Sequence, residues 1–404
     1  MTKLAKWFDS WIEAFRISPE GLALFRICFA GGFLLFFVKQ YVWINQFPQG
    51  FFHPPAASPG VLLGGFPSYG VLLALSLAGC VLLIALMFGY RTRVVSILLA
   101  VVWILGDNLN YSFGKIDHAI MFPLVPLVMA FSSWGAHYSI DAYRRGSSEI
   151  RERGSWTVAA VACLLGAGFL TAGFPKLLGW IDFDLATQGV RGWLYQGYHI
   201  TGREDYLASF FMGIENPYFW EALDIAAVVF EVGCFVALLW PPIFKVFVFF
   251  AVFFHLSNYL MLNIAFTNLM WTYMLFISWD KVKHKVRDIG LADWLKRTTT
   301  TKYLLIFSLL YIPIYLLALH IPDPLPMRGV SPLSLFVEQV LGMDYSPVRT
   351  WAIYAIAVTV AMLHLGYFVR DSVRSRRREP NKTPPDQDLQ PKPAGETVEN
   401  VVSG

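Results

Sequence analysis

The chain has 404 residues, of which 56% are hydrophobic and only 15% charged, with a formal net charge of +4; a soluble chain carries about 25% charged residues. With aromatics at 16% and repeated apolar runs of roughly 18–20 residues, this composition excludes a soluble enzyme, a coiled coil and a disordered chain. The small net charge implies no nucleic-acid partner. What remains is an all-α, polytopic helical membrane protein whose first partner is the lipid bilayer.

In chain order, residues 1–20 place Lys3, Lys6, Asp9, Glu13, Arg16 and Glu20 between aromatics, which predicts an amphipathic helix lying on the membrane surface. Ten spans follow, at 21–38, 69–89, 94–111, 118–134, 156–174, 222–240, 243–262, 264–279, 303–319 and 351–369. The third ends on polar residues, the fourth contains Pro123 and Pro126, and the eighth is short. The third and fourth are expected to form a hairpin with its turn at 112–117 on the outer side. With the N-terminus in the cytoplasm, 24 of the 32 lysines and arginines fall on inner segments, seven on outer ones, and Arg26 inside the first span. That asymmetry predicts a multi-pass cell-membrane protein with both termini cytoplasmic. Residues 21–280 form the transmembrane core and 281–370 add two spans with an extracytoplasmic loop. Residues 371–404 read as a disordered tail, basic and then Pro-rich, too poor in apolar residues to fold.

The four cysteines, Cys28, Cys80, Cys163 and Cys234, each lie in an apolar run, and none forms a CxxC pair. They suit neither a disulfide framework nor a zinc site. No phosphate-binding loop, dinucleotide fingerprint or HExxH occurs, so no metal is expected.

Ionisable groups in or beside spans are costly unless they face the bundle interior and find a partner. Lys176 ends the fifth span; it reads either as a lysine snorkelling to headgroups or as a partly desolvated amine able to act as a base. His118, after Asp117, reads as a loop histidine behind a capping aspartate or as a proton-handling imidazole. His255 lies well inside the seventh span with Asn258 on the same helical face; the pair either ties helices together or lines a site. Asp224 and Glu231, seven apart on the sixth span, either hold Lys or His groups or satisfy neighbouring helices. Arg26 either snorkels inward or takes part in binding.

These residues resemble a known family. Leu24-Phe25-Arg26-Ile27 with Gly31-Gly32, Thr171-Ala172-Gly173-Phe174-Pro175-Lys176-Leu177 with Trp180, Asp117-His118, and Phe254-His255-Leu256 with Asn258, Phe266 and Met270 are similar to motifs of the horizontally transferred transmembrane (HTTM) domain family. That family is related to vitamin K-dependent gamma-carboxylase. The resemblance covers roughly residues 10–280 and implies an HTTM-like bundle. In the carboxylase a motif lysine deprotonates vitamin K hydroquinone, oxygen generates a strongly basic alkoxide, and that base prepares a glutamyl side chain for carbon dioxide. The resemblance maps the lysine role onto Lys176 and the histidine roles onto His118 and His255, with Asn258, Arg26 and Trp180 as binding residues and a reduced, vitamin K-like quinone as cofactor. The carboxylase's large extracytoplasmic domain has no counterpart here, which points away from peptide carboxylation by the same route.

The expectation is therefore an outward-facing cavity for a lipophilic small molecule, serving quinol-dependent carboxylase-like or oxygenase-like chemistry. Lys176 would be unpaired, so that Lys176→Met leaves stability unchanged. The alternatives are a non-catalytic membrane partner, such as an assembly or immunity factor for a membrane or secreted protein, and a transporter.

Overall fold

The computed structural model describes residues 2–56, 58–114, 116–146, 154, 156–182, 184–320 and 329–378, with the backbone alone from 371. Among these residues the fold is all-helical, and one antiparallel bridge, Val38 with Val330, is the extended pairing present. The helices are α1 Lys3–Glu13, α2 Pro19–Phe36, α3 Tyr69–Phe88, α4 Thr92–Asn110, α5 Met121–Met129, α6 Ile140–Arg145, α7 Trp156–Trp180, α8 Gly189–Thr201, α9 Ala208–Met212, α10 Pro217–Ala237, α11 Pro241–Leu262, α12 Thr267–Tyr273, α13 Trp279–Asp288, α14 Leu291–Thr298, α15 Thr301–Ala318, α16 Pro332–Gln339 and α17 Tyr345–Arg378.

Among the described residues, seven segments are long and apolar enough to cross a membrane: α2, α3, Thr92–Phe113, α7, α11, α15 and Tyr345–Arg370. Several such helices mark a membrane-embedded chain. The sixth expected span corresponds to α10, which has the length, 21 residues, but carries Glu221, Asp224 and Glu231 on its buried side. The fourth and eighth expected spans are helical over shorter stretches than expected. Their helices, α5 and α12, have nine and seven residues, or about 14 and 11 Å of rise, against roughly 30 Å of hydrocarbon. Pro126 removes a backbone donor inside α5. Asn263 ends α11 in the left-handed region, and the chain reaches Phe266 before it is helical again.

Helix starts follow local chemistry. Ser18 accepts from Gly21 N at the head of α2, with Pro19 in the first turn. Asn216 and Pro217 do the same for α10. The cap of α4 comes from far away: the Asp141 carboxylate accepts Arg91 N at 2.8 Å, Thr92 N at 2.7 Å and the Thr92 hydroxyl at 2.8 Å. A carboxylate there meets both the orphan N–H groups and the positive end of the helix dipole. Glycines set the approach of α7 to α10. A Cβ at Gly173 would lie 2.8 Å from Glu231 Cβ, and one at Gly166 would meet Leu238.

The contacts define two ends of the bundle. At one, Arg26 donates to the Trp134 carbonyl at 3.1 Å and the Tyr138 carbonyl at 2.5 Å, while Glu20 accepts from Tyr138 and Arg287. At the other, Lys39 pairs with Asp107 and Tyr345 donates to the Phe36 carbonyl at 2.8 Å. The chain returns from the second end to the first through α5 and again through α12.

Gly89, at φ +65°, closes α3 against Arg26: a Cβ there would sit 2.9 Å from the guanidinium carbon. Gly202, after α8, is left-handed like Gly89, at φ +62° and ψ 32°, but faces open space. Gly202→Ala is expected to cost about 1–2 kcal/mol from backbone strain alone. Gly89→Ala adds roughly 1.5–3 kcal/mol by displacing charged hydrogen bonds. Thermal unfolding of the two variants in detergent measures the difference.

The contacts divide the chain into Met1–His364 and Leu365–Gly404. In the second part the backbone stays helical to Arg378, beyond the expected boundary at 371. Arginine is a good helix former, and Pro380 is the first proline after that boundary. The rest of the expected tail, 379–404, and Lys115 in the expected 112–117 turn lie outside the described residues.

Candidate functional site

Lys176 sits in the last turns of α7. Its amine donates to both Glu231 oxygens, at 2.5 and 2.7 Å, and lies 5.1 Å from the centre of the Trp180 ring. The lysine side chain is 23% exposed and the glutamate 6%. The expectation of an unpaired amine is therefore corrected. The partner is Glu231, the carboxylate that glycine at 173 allows close to α7. Asp224, one of the two carboxylates expected to hold a base, instead accepts Gly189 N and Val190 N, both at 2.7 Å, and caps α8. Both oxygens of Glu221 are buried with no hydrogen-bond partner among the described residues.

Breaking the Lys176–Glu231 pair from one side leaves Glu231 buried without a counter-charge. Lys176→Met is expected to cost about 1–3 kcal/mol, between surface and buried pairs because the lysine is partly exposed. Lys176→Met with Glu231→Leu should recover most of it, and chemical unfolding of the two variants tests this.

His255 is buried in α11. Its ring stacks between Phe169 of α7, at 6.0 Å and 17°, and Phe266, at 4.5 Å and 27°. Nε2 shares a 2.7 Å hydrogen bond with the Tyr273 hydroxyl, while Nδ1 is buried without a partner among the described residues. Tyr354 of α17 fixes the break after α11, donating to the His255 carbonyl at 3.0 Å and accepting Phe266 N at 3.2 Å. His118 packs on the same phenyl ring, 5.0 Å from Phe266. Phe266 thus lies against both imidazoles.

The remaining expected residues divide. Asn258, one turn beyond His255, is half-buried. Trp180 is half-buried and packs beside the apolar cluster of Val190, Leu194 and Trp220. Arg26 is fully buried at the opposite end of the bundle, bound to the Trp134 and Tyr138 carbonyls. In the second turn of α2, it lies level with the 134–138 segment, so it serves that joint and not the histidines.

Sequence reasoning passed over Phe169, Tyr273 and a second ion pair. Lys39, expected in an outer loop, is 7% exposed and bonded to Asp107, equally buried. Its amine lies 5.3 Å from the Trp103 ring and 4.8 Å from Phe122. The Tyr41 hydroxyl reaches the other Asp107 oxygen at 3.3 Å. The signal was present: a carboxylate inside a span demands a cation, and Lys39 is the first cation beyond α2.

Tyr273 also forms one wall of an apolar crevice of about 100 Å³, with Phe36, Phe249, Val252, Met270 and Ile353 among its lining residues. No cluster of metal-ligating side chains occurs among the described residues. No protein-family model, curated protein or solved structure matches this chain.

Proposed function

We propose that this chain is a membrane protein of the HTTM family that binds a lipophilic ligand of the quinol or quinone type at His255. The observation that carries the reading is the orphaned Nδ1 of an imidazole caged by aromatic rings. A buried polar atom without a partner costs about 1–3 kcal/mol unless something bonds to it. Tautomerism suits the two redox forms of such a ligand. With Nε2–H donated to the Tyr273 oxygen, Nδ1 accepts a quinol hydroxyl. With the Tyr273 hydroxyl donating to Nε2, Nδ1–H donates to a quinone carbonyl. The crevice behind Tyr273 is smaller than the ~150 Å³ cavity that holds benzene, so it suits a segment of hydrocarbon chain and not a ring.

When bound, a reduced quinone would supply the reducing chemistry of the carboxylase-like or oxygenase-like reaction that the resemblance implies. The residues of this chain orient it and hold its proton. With the Lys176 amine engaged by Glu231, the ligand-facing acceptor in this reading is His255. In this reading the chain crosses the bilayer ten times, α5 and α12 completing short crossings inside the bundle, with both termini cytoplasmic.

Native mass spectrometry of the detergent-purified protein with added ubiquinone and menaquinone tests the ligand. Retention of either, at one per chain, is the expected result; failure to retain any lipophilic molecule favours a non-catalytic membrane partner. Topology is checked separately by single cysteines at Ser68 and Gly146 in a cysteine-free background. Only the first should be labelled from outside intact cells.

A further inference from the structure

We propose that a quinone reaches His255 sideways from the bilayer, through the crevice between α12 and α17, and that its isoprenoid tail comes to rest there. The proposal rests on the reading of His255 as the ligand site and adds a route to it. Ile353, Ile356, Ala357 and Val360 of α17 form one wall of the crevice, and their spacing puts them on one helical face. Phe249 of α11 and Tyr273 of α12 stand among the other walls. Both are 2% exposed, whereas Ile356 on the rim is 55% exposed. α11 and Tyr345–Arg370 are both long and apolar enough to cross a membrane, so the rim meets acyl chains.

Polar ties hold α17 at both ends of this wall. At one, Tyr354 donates to the His255 carbonyl at 3.0 Å and accepts Phe266 N at 3.2 Å. At the other, His364 Nδ1 accepts Ser278 N at 3.4 Å, and its ring lies 4.1 Å from Phe249. The two ties are about 15 Å apart along the helix, and Ile356, Ala357 and Val360 fall between them. Thr359, in the same stretch, bonds within its own helix, to the Ala355 carbonyl at 2.7 Å. Apolar helix contacts in lipid have no hydrophobic driving force and no directional bond to break. This stretch is therefore where α17 parts most readily from α11 and α12.

Tyr273 is the partition at the inner end. It belongs to the crevice wall, and its hydroxyl holds His255 Nε2 at 2.7 Å. A head group passing inward swings that one side chain aside. Among the described residues the lining carries no charged side chain, so a phosphate head cannot follow its acyl chain inward, while an uncharged quinone head can. The tail leaves one apolar medium for another, so it gains packing contacts and not transfer from water. The crevice therefore governs the rate of entry more than the affinity.

The experiment follows uptake of ubiquinone from liposomes into nanodisc-embedded protein, read as bound quinone per chain by native mass spectrometry at successive times. Ala357→Trp fills the crevice and should slow uptake about tenfold or more, the effect of overpacking a closed apolar gap. Ala357→Leu should slow it less, and it decides the matter if the tryptophan variant unfolds. Met362→Trp adds the same kind of bulk at a site 60% exposed, outside the crevice, and should change nothing. At equilibrium Ala357→Trp should still bind the tailless benzoquinone head as wild type does. Unchanged ubiquinone uptake in both Ala357 variants, or equal slowing in Met362→Trp, overturns the proposal. So does loss of the tailless head at equilibrium, since Ala357 would then act on the site and not on the approach. Phospholipid displaced by Ala357→Trp with quinone uptake unchanged also overturns it, giving the crevice to an acyl chain. The His255 reading fails separately: His255→Phe with Tyr273→Phe would then bind the quinone normally while Ala357→Trp still slowed its entry.

Discussion

Lys39→Met is expected to lower the unfolding free energy by about 3–5 kcal/mol, the cost of stranding one partner of a buried ion pair. Asp107 is as buried as Lys39, and its remaining contact, the 3.3 Å bond from Tyr41, cannot replace a full counter-charge. Asp107→Asn should cost a similar amount by stranding the ammonium between Trp103 and Phe122. The double variant Lys39→Met with Asp107→Leu should recover much of the loss, because removing both charges also removes their desolvation cost. Urea or thermal unfolding in one detergent, read as a double-mutant cycle, measures the coupling. Additive losses would show that the pair does not act as one unit.

His255→Phe should weaken retention of a quinone about tenfold to a hundredfold, the effect of one buried hydrogen bond to the ligand. Phenylalanine keeps the stack between Phe169 and Phe266 and removes both ring nitrogens. It also strands the Tyr273 hydroxyl, so the single variant should lose about 1–3 kcal/mol of stability. His255→Phe with Tyr273→Phe removes both polar partners and should unfold close to wild type while still failing to hold the ligand. Asn258→Ala, on the same face but without the orphaned atom, should have a smaller effect. Unchanged retention in the double variant, measured by native mass spectrometry, would place the ligand elsewhere.

Composition and periodicity alone determined that this is a helical membrane chain. They also located the seven long apolar helices and α10, with ends as far as six residues off at α7 and at Tyr345, because hydrocarbon thickness and backbone hydrogen bonding leave few choices for an apolar run. They singled out Lys176, His118 and His255, since an ionisable group beside or inside such a run stands out in one dimension. The length of α5 and α12 was not legible, because a short crossing enclosed by other helices has the same composition as a full one.

The partners were decided only in three dimensions. Glu231 is 55 residues from Lys176, and Asp107 is 68 residues from Lys39. Phe169 and Phe266 reach His255 from different parts of the chain. Arg26 belongs to a joint at the far end of the bundle because of the turn on which the 134–138 segment packs. A charge announces its need for a partner in the sequence; helix packing chooses which partner stands within 3 Å.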